Sequence, residues 1–468
     1  MNGNGTGNGT GNGTGHRTEN GAGDESRTEA QLRRSERNRT LRRWLRPGIG
    51  IKRWLVVAFF GQLLIALAVA LLIEAAFRAA PGDGTQAVVA SPLPLELLVF
   101  VLFTVGLAIF GYGAWRLLRA LVEPYQVRQE PLGELLYQRR LRARGPRVVA
   151  IGGGTGLSVL LRGLKEQTSN ITAVVTVADD GGSSGKLRDE MGMPPMGDIR
   201  NCIAALADVE PAMDSLLQYR FPASDGPASS FAGHAFGNLL IAALTSVTGD
   251  FEEGVRQSNR VLAVRGSVVP VAGEPINLHA ELGDGSTLDG QSRIARAGPI
   301  RRVWITPDGI RPSEEALAAI ADADLVVIGP GSVYTSLLPP LLVPGMAEAL
   351  RSTGAARLFV CNVATQVGES EEFSVSDHLG AMSAHGLGDV IDGVLVNNNF
   401  KAREPANYPA APVIVDVSLS SSDGPPIFAR DVVDDDNAHH HDPRKLASAI
   451  FVLHDERVLS RREQVAVS

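Results

Sequence analysis

Residues 147–166 read RVVAIGGGTGLSVLLRGLKE. The apolar residues after Arg147 form a short strand, Gly152, Gly153, Gly154 and Gly156 surround Thr155 in a turn, and a helix is expected over 157–166. Glycines let a backbone approach a ligand closely, and a helix N-terminus presents free N–H groups to a phosphate. As a dinucleotide fingerprint the run is broken, because Leu157 stands where the third glycine belongs. A tight turn without ligand is the plainer alternative.

Outward from this stretch, the same alternation continues. Apolar runs at 147–151, 171–177, 324–328, 357–360 and 393–396 read as strands, and 157–166, 198–208, 236–246, 313–321 and 376–384 read as helices. The pattern predicts an α/β fold: a Rossmann-like, doubly wound, mostly parallel sheet with ligands at the carboxyl ends of its strands. Residues 268–305, with VVPV, INLHAEL and RRVWIT, read as a small antiparallel insertion.

The ends of those strands hold the polar residues. Asp179 and Asp180 begin DDGGSSGK, which also contains Ser183, and adjacent acids there suit a sugar hydroxyl, a Mg²⁺ ion or both. Asp-Gly turn chemistry explains them equally well taken alone. Asp198 and Asn201 open an Ala-rich helix, where Asp198 could be its N-cap. His234 and Asn238 flank another helix start, and a lone His there is more often structural. Gly329, Gly331, Ser332, Tyr334 and Thr335 follow DLVVI, Asn362 and Gln366 follow RLFV, and Asn397 and Asn398 follow GVLV. The set is rich in donors for phosphate and sugar and has no paired nucleophile and base, so no catalytic residue is assigned. His439-His440-His441 suggests a metal, but Asp442-Pro443 reads as a cap and first residue of the helix that follows.

The chain has 468 residues and a net charge of −7, unevenly divided. Residues 1–147 hold 20 Lys/Arg against 11 Asp/Glu, leaving 24 against 40, a net of −16, for 148–468. An acidic body argues against nucleic acid as a partner. Two cysteines cannot build a disulfide scaffold. Residues 54–73 and 97–115 are uncharged runs of 20 and 19 residues, each long enough to cross a hydrocarbon core of about 30 Å. Arginines crowd before the first and after the second, while the loop between carries one. The positive-inside bias predicts a two-pass cytoplasmic-membrane protein with both termini in the cytoplasm, its basic flanks against lipid. The expected divisions are a disordered basic tail at 1–50, a transmembrane hairpin at 51–118, a basic linker at 119–145, one domain at 146–455 and a tail at 456–468.

Eight blocks carry a family likeness: VVAIGGGTGLSVLLRGLK, VTVADDGGSSGKLR, GDIRNCIAAL, GHAFGNLLIAAL, GPGSVYTSLLPPLLVPGM, CNVATQVGE, VLVNN and HDPRKLA. In this order, over roughly 147–450, they resemble the family of the bacterial gluconeogenesis factors and the 2-phospho-L-lactate transferases. The Gly329-Pro330-Gly331-Ser332 form is similar to the gluconeogenesis-factor branch. That resemblance implies a Rossmann-like fold, UDP-sugars such as UDP-N-acetylglucosamine as ligands, and ties to cell shape, carbon metabolism and envelope synthesis. It implies that Thr155 and the 152–156 glycines hold the diphosphate, that Asp179 and Asp180 hold the sugar or a cation, and that 329–335 complete the nucleotide site. The hairpin is the departure from the shorter members.

Three readings follow. The first is a membrane-tethered sensor of a nucleotide sugar that needs no cofactor, acting with envelope-synthesis proteins or a second copy of itself. The second is a Mg²⁺-dependent enzyme moving a phospholactyl-type group from a nucleotide diphosphate to an acceptor alcohol. The third, NAD-dependent hydride transfer, is weakened by the broken fingerprint.

Overall fold

The computed structural model describes residues 51–79, 94–122, 132–208, 210–222, 231–405, 410–416 and 424–466. The expected basic tail at 1–50, the middle of the loop between the apolar runs and residues 123–131 of the expected linker lie outside them. The chain divides into two units, 1–132 and 133–468.

In the first unit, helices Ile51–Ala79 and Leu95–Val122 pack side by side. Both are long and apolar enough to cross a membrane, and only 11% of either apolar window is buried. A core helix of that length would bury far more, so these faces are open to whatever surrounds them. Glycines set the spacing between the two helices: a Cβ on Gly61 would lie 2.4 Å from the Phe110 nitrogen, and one on Gly113 would lie 2.6 Å from the Ala58 nitrogen. Such close backbone approach is how helices associate where no water drives them together. At the end shared by residue 54 and residue 116, the Arg116 guanidinium lies 4.7 Å from the Trp54 ring centroid, and Trp54 meets Tyr112 edge-on.

The second unit is built on seven strands, all parallel. In chain order β1 (Val148–Gly152), β2 (Ile171–Val175) and β3 (Ser267–Pro270) run one way from the centre. After the small sheet of β4 (Asn277–Leu282), β5 (Thr287–Asp289) and β6 (Ile300–Thr306) come β7 (Leu325–Ile328), β8 (Ala356–Val360), β9 (Gly393–Asn397) and β10 (Ile427–Arg430). The spatial order is β10-β9-β8-β7-β1-β2-β3. Buried on both faces, these strands read as unbroken apolar runs rather than alternations, as β1 and β7 do. The alternation predicted from sequence is present, with a small antiparallel sheet beside the parallel one.

One assignment is corrected. VVPV belongs to β3 at the edge of the parallel sheet, not to the antiparallel insertion, because Val268 and Val269 are buried against β2. The insertion proper is INLHAEL and RRVWIT, joined by β5. A hairpin, β11 (Val433–Asp434) with β12 (Asn437–His441), closes the order of strands. Residues 456–466, expected as a tail, continue the last helix, Pro443–Ala466.

Candidate functional site

The direction of winding reverses between β1 and β7: successive strands step one way from β1 and the other way from β7. At such a switch point the loops leaving neighbouring strands part, and a crevice opens at their carboxyl ends. A cleft of about 630 Å³ lies there, walled by the loops after β1, β7 and β8 and by the β12 hairpin.

The β1 wall is the glycine turn. The helix begins at Gly154, earlier than the sequence indicates, so Thr155 and Gly156 belong to its first turn and Gly153 caps it without a side chain. Gly153 offers no side chain to the first-turn amides, and the Gly154 amide is met instead by the Asp198 carboxyl. Gly154 has φ +65°, which an L side chain adopts at a cost, and a Cβ on Gly156 would lie 2.5 Å from the Pro330 carbonyl oxygen. The β1 and β7 loops thus touch. On the β7 side, Asn362 holds Gly331 by two hydrogen bonds, Oδ1 accepting from its N–H and Nδ2 donating to its C=O, both at 3.0 Å.

Behind Gly153 and Gly154 lies a second, polar cavity of about 260 Å³, lined among others by Asp179, Ser183, Ser184, Asp198, Arg200 and Arg220. A Cβ on Gly153 would sit 2.6 Å from Asp198 Oδ2, so the glycine turn, which lines the cleft, abuts Asp198, which lines the second cavity. Asp198 is not the N-cap of helix Gly197–Leu206, since Met196 occupies that position. Burial, then the neighbouring Asp179 carboxyl, pushes the pKa of Asp198 up to about 7, while the Gly154 amide draws it down. Burial likewise raises Asp179, against hydrogen bonds from Gly181 and Ser184. Burial, then Arg220, lowers the Arg200 guanidinium. Arg200 donates to Asn238 Oδ1 and Asn201 Oδ1, both at 3.0 Å, and Asn238 Nδ2 donates to Ser183 and Ser184. Ser183 in turn lies 3.3 Å from His234 Nδ1.

The sequence-predicted residues therefore divide. Gly153, Gly154, Thr155, Gly156, Gly331, Ser332, Asn362 and Gln366 line the cleft, and Asp179, Ser183, Asp198, Asn201 and Asn238 line the second cavity. Gly152, Gly329, Asp180, His234, Asn398, Tyr334, Thr335 and Asn397 line neither. Tyr334 and Thr335 turn inward: Glu369 accepts hydrogen bonds from both backbone amides and from the Thr335 hydroxyl, capping the turn after β7 from inside. Asn397 accepts from Val432 N and Asn399 N and so braces its own loop.

Asp179 and Asp180 also part company. Asp179 faces the second cavity, while Asp180 accepts from Ser292 N at 2.8 Å and anchors the insertion. Among the described residues no group of three or more His, Cys, Asp or Glu is gathered as for a metal. The carboxylates that could share a cation are Asp179 and Asp198, which face one cavity, Asp179 helping to raise the pKa of Asp198. Sequence reasoning passed over Arg200 and Arg220, and it read His439–His441 only as a metal motif. Their part in a cleft wall depends on the β12 hairpin, which no local periodicity announces. The Asp442 cap is present, its carboxylate accepting from Arg444 N and Lys445 N at 2.8 Å.

Comparison with known proteins matches residues 148–433 to the family described as 2-phospho-L-lactate transferase CofD. A Nostoc relative bearing the gluconeogenesis factor name is 41% identical over 439 residues, covering 90% of this chain and 95% of its own. The gluconeogenesis factor of Bacillus subtilis is 44% identical over 314 residues, 66% of this chain and 98% of its own. A crystal structure of a Bacillus halodurans protein is 45% identical with a TM-score of 0.60, covering 66% of this chain and all of that one. The Nostoc match is longer than the family region and so extends beyond it.

Proposed function

The chain belongs to the CofD family, with relatives named gluconeogenesis factor, and from that premise we propose that it is a membrane-tethered regulator that binds a nucleotide-linked sugar. A UDP-sugar such as UDP-N-acetylglucosamine is the ligand proposed, and coupling of its level to envelope synthesis, cell shape and carbon metabolism is the output.

One observation carries this reading. The residues described as lining the cleft supply glycine amides, hydroxyls, carboxamides and imidazoles, and include no lysine, arginine or carboxylate. Amides at a helix N-terminus suit a diphosphate. Neutral donors and acceptors of this kind suit ground-state binding. The sugar would extend past the glycine turn toward Asp179 and Asp198. Two apolar helices with basic and aromatic residues at one end support a tether, and the arginine asymmetry supports cytoplasmic termini.

A second reading is favoured by Asp198. A carboxyl with a pKa of about 7 beside the phosphate turn is suited to move a proton at neutral pH, as an acceptor alcohol would need. In that case Asp179 with Asp198, rather than Asp180, would hold Mg²⁺, which supplies charge stabilisation on the leaving phosphate.

The test is calorimetric titration of the full chain in detergent with UDP-sugars, guanine nucleotides and NAD, with product analysis in Mg²⁺. Saturable UDP-sugar binding without product supports the regulator. Tight binding of NAD alone would sink it.

A further inference from the structure

Two buried polar atoms of residues in the walls of the cleft, Gln366 Oε1 and His441 Nε2, have no hydrogen-bond partner among the described residues. Gln366 lies on the loop after β8, and its carboxamide Oε1 is buried and unpartnered. His441 ends β12, is 7% exposed, and its Nε2 is likewise buried and unpartnered. Both residues line the cleft that the glycine turn opens onto. Buried polar atoms are almost always satisfied, so two orphans in one cleft need a reason. Elsewhere the same loop is fully used: Glu369, three residues on, accepts three hydrogen bonds.

The ring of His441 is uncharged at neutral pH, since burial pushes its pKa down to about 4 against a hydrogen bond to the Cys361 backbone. A neutral imidazole and a carboxamide can each accept one hydrogen bond from a neutral donor and give none of the charge that a phosphate would call for. The amides of 153–156 suit the anionic part of a ligand, and these two groups suit an uncharged part that carries N–H or O–H.

We infer that Gln366 and His441 form a nucleoside-reading wall, accepting hydrogen bonds from the donor groups of a ribose diol or of a pyrimidine imide while the diphosphate lies on the glycine turn. This rests on the nucleotide reading above and adds to it the ligand's orientation and the residues that discriminate. The two residues come from separate elements, the loop after β8 and strand β12, which wall the same cleft.

The experiment titrates the full chain in detergent with UDP and, separately, with inorganic pyrophosphate. Gln366→Leu and His441→Leu are each expected to weaken UDP about 3- to 12-fold, the worth of one neutral hydrogen bond, and to leave pyrophosphate within about twofold. Gln366→Leu is also expected to keep or raise the melting temperature without ligand, because an unsatisfied polar group has been replaced by an apolar one. 2′-Deoxyuridine diphosphate and N3-methyl-UDP identify the source: the analogue that loses affinity for wild type but loses no more in the variant names the group read. Unchanged UDP affinity in Gln366→Leu overturns the inference, as does a fall in melting temperature with equal loss of both ligands. If wild type bound pyrophosphate but no nucleotide, the nucleotide reading would fall with it.

Discussion

Asn362 binds Gly331 on both sides of one residue, its carboxamide accepting from the N–H and donating to the C=O at 3.0 Å each. A loop residue is thus held as it would be in a sheet, though Asn362 belongs to the next strand's loop. Asn362→Ala leaves both Gly331 groups without their partner and is expected to cost about 1–2 kcal/mol. Asn362→Asp keeps the acceptor and loses the donor, so it should fall between. Urea unfolding of the full chain in detergent measures this, and equal stability of all three proteins would show the contact to be incidental.

Gly153 is extended, with φ −164°, so its need for glycine is steric rather than conformational. A Cβ there would meet Thr176 Cγ2 at 2.5 Å and Asp198 Oδ2 at 2.6 Å. Gly153→Ala should destabilise by about 1–3 kcal/mol, typical of overpacking. Adding Thr176→Ser removes the methyl that obstructs and is expected to recover part of the loss. A double mutant no better than the single would mean that Asp198 alone sets the limit.

What the sequence made legible was what depends on local pattern. Strands buried on both faces announce themselves as apolar runs, and the glycine turn after β1 needs no partner to be recognised. The edge strand β3 was misread because SVVP, cut short by Pro270, looks like any short apolar piece until β2 is beside it. Helix Gly182–Met191, GSSGKLRDEM, has no apolar stripe and was not anticipated. Of the site, the donors at the strand ends were visible, but their directions were not. Asp179 and Asp180 are neighbours in sequence, and only the insertion at Ser292 turns the second away. Tyr334 and Thr335 look like ligand groups until Glu369, 34 residues on from Thr335, is found beneath them.

Stability should depend on pH through Asp198. Its folded pKa of about 7 lies above the ordinary value of 3.8, so the folded chain holds a proton that the unfolded chain releases. Stability from this carboxyl therefore falls as pH rises from about 4 to about 7. His441, lowered from 6.5 to about 4, acts in the opposite sense, favouring the fold as pH rises through that interval. The difference between Asp198→Asn and wild type removes the histidine from the comparison. The variant should gain melting temperature relative to wild type as pH rises to 7, and a constant difference from pH 4 to 8 would contradict the assignment.

The two apolar helices make a topological prediction. Reporter fusions after residue 85 should report outside and those after residue 130 inside, as the arginine asymmetry requires. Both reporters on one side would end the hairpin reading.

The choice between regulator and transferase turns on the second cavity, and the informative residue is Asp179. If the chain is a transferase, a cation between Asp179 and Asp198 stabilises charge that develops on the leaving phosphate, a contribution made mainly in the transition state. Asp179→Asn would then leave nucleotide binding within a few fold while turnover collapses. If the chain is a regulator, there is no transition state to stabilise, and the carboxylate serves only ground-state contacts to the sugar. Losing a charge-assisted hydrogen bond then costs about 1.5–3 kcal/mol, on the order of 10- to 150-fold in UDP-sugar affinity, with UDP itself little changed. Asp180→Asn provides the control, since that carboxylate is committed to Ser292 rather than to the cavity. We expect the second pattern, with no product from UDP-sugar or from guanosine-diphosphate-linked phospholactate. Metal-dependent turnover by wild type that disappears in Asp179→Asn, with nucleotide affinity unchanged, would decide for the transferase.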